Sequence, residues 1–260
     1  MTGGNASNGD PVLKWTHCSE AKTYYIYRAT RKSGTYKKIG SSTTGTYKDT
    51  SAVRGKVYYY KVKAIASNSS YNSGYSTYDK LYCKCAAPSI SISVSGTTGK
   101  PTIKWNKVSG AKKYIIYRAT SKNGTYSAIK TTTSTSYKDS SAKPGKTYYY
   151  KVKTIASSSN YNSIYSSVKS ALCKPAKPVA KIALSSNKPK ISWKKVSGAS
   201  QYDVYRSTKS SSGFTKIKTT TGTSYVDKSA KKGTTYYYKV VAIKGSARSS
   251  YSSAVKIKSK

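Results

Sequence analysis

The chain has 260 residues, with 48 lysines and arginines against 7 acids and one histidine, a formal net charge of +41. A molecule this basic attracts polyanions and repels its own copies. It contains no run of about 18 apolar residues, which excludes a membrane-spanning helix, and one histidine cannot supply a Ser–His–Asp, Cys–His or metallohydrolase arrangement.

Apolar content is carried by tyrosine, with 28 tyrosines against one phenylalanine, Phe214. Each tyrosine combines a large aromatic area with a hydroxyl that needs a partner or water. The N-terminal run Met1-Thr2-Gly3-Gly4-Asn5-Ala6-Ser7 has neither a basic n-region nor an apolar h-region, so it does not read as a signal peptide. Either the protein stays inside the cell or this is a piece of a longer one.

Three copies of one unit follow one another at about 90-residue spacing, the mark of a tandem array. Each opens on a proline-to-tryptophan strand: Pro11-Val12-Leu13-Lys14-Trp15, Pro101-Thr102-Ile103-Lys104-Trp105 and Pro189-Lys190-Ile191-Ser192-Trp193. Ahead of it the second and third copies have alternating strands, Ser89 to Val94 and Val179 to Leu184. The first has the polar stretch 1–10, which is expected to pair poorly or not at all. After the tryptophan come Val108-Ser109-Gly110-Ala111 and Val196-Ser197-Gly198-Ala199. The first copy has Cys18-Ser19-Glu20-Ala21 there, which makes Cys18 a small core residue by position.

The next strand is Tyr24-Tyr25-Ile26-Tyr27-Arg28, repeated at Tyr114 to Arg118 and Tyr202 to Arg206. A Ser/Lys/Gly turn leads to short strands beginning at Tyr36, Tyr126 and Phe214, then to threonine-rich segments ending at Asp49, Asp139 and Asp227. The three share one position, one such aspartate per copy, and read as turn caps rather than halves of an acid–base pair. Turns closed by Gly55, Gly145 and Gly233 lead into Tyr58-Tyr59-Tyr60-Lys61-Val62-Lys63 and its copies at Tyr148 and Tyr236. A Ser/Asn/Tyr loop and a final strand complete each copy. Short strands at regular spacing indicate all-β sandwiches.

These motifs together, Pro-x-Ile/Leu-x-Trp, Val-Ser-Gly-Ala-x-x-Tyr-x-Ile-Tyr-Arg and Gly-x-x-Tyr-Tyr-Tyr-Lys-Val, resemble the fibronectin type III domain in the form common on Gram-positive surface and secreted proteins. The resemblance covers nearly the whole chain. It implies an all-β fold of three tandem immunoglobulin-like β-sandwich domains in an elongated array, divided at 1–85, 86–175 and 176–260, with short proline-containing linkers at Cys83–Pro88 and Cys173–Pro178. It implies core roles for Trp15, Trp105 and Trp193, and tyrosine corners at Tyr58, Tyr148 and Tyr236. It also implies an extracellular or cell-surface location.

Strand parity separates fold from function. Tyr58, Tyr60 and Val62 face inward, as do Tyr24 and Ile26. Tyr27, Tyr59, Lys61 and Lys63 face outward, with Tyr117, Tyr149, Lys151 and Lys153 in the second domain. Tyr205, Tyr237 and Lys239 do so in the third, where Val241 interrupts the row. Such a face is either plain solvated sheet, in which lysine blocks edge pairing, or a surface for an anionic polymer, with lysine supplying charge and tyrosine stacking on sugars. The family's FG loop corresponds to Tyr71, Asn72 and Tyr75, and to Tyr161, Asn162 and Tyr165, a composition used in antibody paratopes. It holds no Arg-Gly-Asp.

Nucleic acid is a weaker reading. The charge predicts salt-sensitive, sequence-blind binding in vitro, but arginine is scarce and no nucleic-acid motif occurs. Cys18, Cys83, Cys85 and Cys173 form no per-repeat pair and lack the spacing of a zinc site. Free thiols on a monomer are expected, with a disulfide-linked dimer as the alternative. Nothing points to a cofactor or metal. The sequence therefore reads as a non-catalytic binding or spacer module for anionic polysaccharide or cell-wall polymer. The competing reading is an accessory tail of a larger secreted hydrolase acting on carbohydrate or peptidoglycan, or a ligand-free spacer.

Overall fold

Alternation of large apolar and polar residues gives a chain built of strands, and the computed structural model, which describes residues 1–260, contains 22 of them and no α-helix. In the first domain these are β1 (Thr2–Asn5), β2 (Pro11–Lys14), β3 (Thr23–Ala29), β4 (Lys37–Ser42), β5 (Thr46–Lys48), β6 (Val57–Ile65) and β7 (Asp79–Tyr82). The second comprises β8 (Ile90–Val94), β9 (Pro101–Trp105), β10 (Lys113–Ala119), β11 (Ser127–Thr132), β12 (Ser136–Lys138), β13 (Thr147–Ile155) and β14 (Lys169–Leu172). The third comprises β15 (Ala180–Ser185), β16 (Lys188–Trp193), β17 (Gln201–Ser207), β18 (Thr215–Thr220), β19 (Ser224–Val226), β20 (Thr235–Lys244), β21 (Ala247–Arg248) and β22 (Val255–Lys258).

Each domain stacks a three-stranded sheet on a larger one. The small sheets run β1-β2-β5, β8-β9-β12 and β15-β16-β19. The larger ones run β4-β3-β6-β7 and β11-β10-β13-β14, and in the third domain β18-β17-β20 with β21 and β22 both on β20. All pairings are antiparallel. The inward tyrosines fall where parity puts them: Tyr60, Tyr150 and Tyr238 are 0% exposed. The corner phenols are in place as well, with the backbone N–H of Val53, Lys143 and Lys231 donating to Tyr58, Tyr148 and Tyr236 at 3.1, 3.1 and 3.3 Å.

The aspartates cap their turns and do more. Asp49 is wholly buried. It accepts from the Ser51 N–H at 3.0 Å, from the Tyr60 hydroxyl at 2.8 Å, and from Arg28 at 2.8 Å. Asp139 with Arg118 and Tyr150, and Asp227 with Arg206 and Tyr238, repeat the arrangement. Burial alone would raise these carboxyls, but the hydrogen bonds and the guanidinium charge outweigh it and hold all three below the usual carboxylate value. The same burial, with the carboxylate alongside, pushes the Tyr60, Tyr150 and Tyr238 phenols far above theirs.

Two expectations are overturned. Residues 1–10 do pair: β1 lies antiparallel on β2, with Thr2 opposite Lys14 and Asn5 opposite Pro11. The apolar residue that a first strand normally turns inward is missing because its volume comes from elsewhere. A Cβ on Gly3 would meet the Leu81 side chain at 2.5 Å. Leu81 on β7 pairs with Tyr58, and the same register places Ala171 against Tyr148 in the second domain. There Ile92 of β8 packs against the core. Glycine and leucine in one domain thus do the work of isoleucine and alanine in the next.

Cys18 is the second correction, being exposed, whereas Val108 and Val196 are buried. The loop itself is alike, with the Cys18 N–H donating to the Tyr24 hydroxyl as Val108 does to Tyr114. What differs is cover. Cys85 and Ala86 join the cluster containing Val108, and Ala176 joins that containing Val196. Cys18 has no such neighbours. Trp15 is likewise only partly buried, unlike Trp105 and Trp193.

Candidate functional site

Two groups of residues that are separate in the sequence come together on the outer face of each larger sheet. Tyr27 and Lys61 are cross-strand partners, as are Tyr117 with Lys151 and Tyr205 with Lys239. A bulge sits beside them in every domain, between Ile26 and Tyr27, Ile116 and Tyr117, and Val204 and Tyr205. The extra residue on the edge strand, Ile39, Ile129 or Ile217, packs against the core. Such a bulge re-aims its neighbours.

Over this pair hangs a tyrosine from the loop that follows the central strand. Tyr75 meets Tyr27 edge-on with ring centroids 5.0 Å apart, and Tyr165 meets Tyr117 at 5.2 Å. In the third domain Tyr251 takes the same place on Tyr205 at 5.0 Å. Two serines position each of these tyrosines. Ser73 N–H donates to the Ala64 carbonyl at 3.0 Å, while Ala64 N–H donates to Ser73 Oγ at 2.8 Å. Ser76 does likewise with Val62, at 2.8 and 3.0 Å. The intervening Gly74 and Tyr75 are therefore forced outward. Ser163 and Ser166 do this for Tyr165, and Ser249 and Ser252 for Tyr251. Serine spaced three residues apart after the central strand was the available sequence signal, and it hides in loops rich in serine.

The lysine is clamped between rings. Lys151 Nζ lies 4.2 Å from the centroid of Tyr126 and 3.9 Å from that of Tyr165. Lys61 lies 4.5 Å from Tyr36 and 5.8 Å from Tyr75. Lys239 lies 4.0 Å from Phe214 and 5.7 Å from Tyr251. A cation over ring faces gains about 0.5–1 kcal/mol per exposed contact. The gain holds a long, half-buried side chain in one place. Lys63 and Lys153 reach the same loop rings at 5.7 and 5.3 Å. Tyr126 and Tyr36 are themselves tied down, their hydroxyls donating to the Lys122 and Lys32 carbonyls. Burial first, then the neighbouring phenol, raises Tyr27 and Tyr117 above the ordinary phenol value, so both remain neutral donors.

The remaining candidates have different surroundings. Tyr59 packs against Tyr78 at 5.6 Å, where the other domains have Val168 and Ala254, and Tyr149 and Tyr237 stand half-exposed beside the clamp. Tyr71 is the most exposed, at 78%. Asn72 and Asn162 accept from the Ala66 and Ala156 N–H groups and shape the loop. Tyr161 is not free: its ring meets Tyr82 of the first domain at 5.5 Å, and its carbonyl accepts from Cys85 N–H. Val241 does not merely interrupt the row; it is buried, at 3% exposure. All four cysteines are free thiols, and no helix is long and apolar enough to cross a membrane.

No family model matches the chain. Sixty-one residues match an amylopullulanase from Thermoanaerobacter thermohydrosulfuricus at 43% identity. The match covers 23% of this chain and 4% of that protein, so the chain spans a small fraction of the curated relatives it resembles. The chicken interferon gamma receptor alpha chain, at 12% identity and a TM-score of 0.50 over 66% of this chain and 98% of that one, shares the fold. A Fn3-like protein of Clostridium thermocellum is 35% identical, covering 32% of this chain and 92% of its own, with a TM-score of 0.31. That identity runs through nearly all of a single-domain relative and accords with the motifs repeated three times here: the chain belongs to the fibronectin type III family, as three tandem β-sandwich domains.

Proposed function

We propose that the array is a non-catalytic binding module of a bacterial surface or secreted protein, divided at 1–85, 86–175 and 176–260, and that its clamped lysine faces hold an anionic polysaccharide. The observation that carries this reading is the lysine fixed between two aromatic rings at one position in every domain. A structural sheet face needs neither the clamp nor the serine pair that builds it. Fixed cations flanked by rings suit a polymer with charged groups along a chain of sugars, since the ammonium meets the anion and the ring meets the sugar face. With a net charge of +41 the rest of the surface draws such a polymer in.

Binding of the full chain to immobilised heparin, followed across salt, tests this. Retention that falls steeply with salt and drops when Lys61 and Lys151 become glutamine supports the reading. Retention unchanged by those substitutions overturns it.

A second reading has its own support in the local similarity to amylopullulanase: the array serves as an accessory module of a carbohydrate-acting hydrolase. Retention on insoluble starch, a neutral polymer, would favour it over the polyanion reading.

A further inference from the structure

The third domain departs from the other two at one cross-strand pair on the candidate face. In the first domain Tyr25 stands opposite Lys63, and in the second Ile115 stands opposite Lys153. In the third the pair is Asp203 opposite Val241. A cation is lost there and a carboxylate gained. Both residues are nearly inaccessible, at 2% and 3% exposure.

Cover comes from the loop after β20, which is shorter than its counterparts and folds back as β21. Arg248 on β21 places Nη2 2.7 Å from Asp203 Oδ2 and donates to the Tyr205 hydroxyl at 2.8 Å. Thr219 donates to Asp203 Oδ1 at 2.6 Å, and Lys216 Nζ lies 3.9 Å from Oδ2. The one carboxylate thus engages two cations and a hydroxyl. Arg248 also ties up Tyr205, the counterpart of Tyr27 and Tyr117. Lys239 is in no ion pair, and neither is Lys256, which stands opposite Tyr237 on the same face.

We infer that the polyanion-holding surface is confined to the first two domains, and that Asp203 with Arg248 closes it in the third. This rests on the reading of the clamped face as a binding surface. The third domain then serves as structural continuation of the array, and charge on its larger sheet contributes no more than charge elsewhere.

The test uses the full 260-residue chain and a size-defined heparin oligosaccharide at physiological salt, with a thermal melt of each variant as a check on folding. Lys61→Gln combined with Lys151→Gln is expected to weaken binding about tenfold. Lys239→Gln is expected to weaken it no further than Lys181→Gln, the same charge change on the opposite sheet. Asp203→Ile with Val241→Lys, which rebuilds the second domain's pair, is expected to add one bound oligosaccharide per chain. If Lys239→Gln costs as much as Lys151→Gln alone, the confinement is wrong and the binding reading stands. If Lys61→Gln and Lys151→Gln together behave like Lys181→Gln, the binding reading itself fails and takes the confinement with it.

Discussion

Tyr75 stands edge-on over Tyr27, at 5.0 Å between centroids and 83° between planes, because Ser73 and Ser76 leave the two residues between them nowhere else to go. The geometry recurs in the second domain, where the serines are more deeply buried. Replacing Ser166 by alanine leaves the Val152 N–H without its acceptor in a buried site. The expected cost is about 1–2 kcal/mol, read as a lower urea midpoint. Heparin affinity should fall beyond what that loss of stability explains, because Tyr165 is no longer held against Lys151.

Gly3 and Leu81 form a compensating pair. Leu81→Ala should open a cavity and cost about 2–4 kcal/mol. Gly3→Ile alone should also destabilise, through collision with Leu81. The double change rebuilds the Ile92 and Ala171 arrangement of the second domain and should recover most of the loss. A double-mutant cycle by chemical denaturation measures the coupling, and additive effects would contradict the pairing.

Asp139→Asn removes the charge that neutralises Arg118 while keeping the shape. Arg118 is partly exposed, so the penalty should fall below that of a fully buried pair, at about 2–3 kcal/mol. Asp49→Asn and Asp227→Asn should behave alike, since each sits in the same set of partners.

Acid should expose the same network. An unfolded aspartate titrates near 3.9, while Asp49, Asp139 and Asp227 lie below the ordinary value when folded. Between the two values the unfolded chain binds more protons, so stability rises with pH there. The contribution is complete above about pH 5 and is lost as pH falls from about 4 toward the folded values. Urea midpoints measured on either side of that window should differ, and Asp139→Asn should shrink the difference.

Thiol reactivity should separate Cys18 from the rest. Burial raises the Cys83, Cys85 and Cys173 thiols, against the opposing pull of Arg54 on the first two and of Lys100 on the third. Cys18 is exposed. The folded chain should therefore show one thiol reacting quickly with an aromatic disulfide reagent and three reacting slowly. All four should react at once in denaturant.

Period-two alternation made much of this molecule readable. It sorted Tyr58, Tyr60 and Val62 from Tyr59, Lys61 and Lys63, and the aligned repeats located Asp49 and the corner tyrosines. Compensation across strands was not readable. Gly3 looks like absence of a strand until Leu81 is seen filling its place, and Cys18 matches Val108 in position while lacking the neighbours that bury valine. The union of sheet face and loop was hidden for a different reason. It depends on side-chain oxygens of Ser73 and Ser76 accepting from the backbone, and loops full of serine give no clue which two will do so.

Cys83 belongs to the first core and Cys85 to the second, while Cys173 belongs to the second and Ala176 packs against the third. A linker whose alternate residues are claimed by different neighbours has no neutral point at which to be severed. Any clone ending inside 83–88 or 173–178 strips a wall from one core or the other. Melting of one domain will likewise loosen the next, so the array should lose its structure in fewer steps than it has domains.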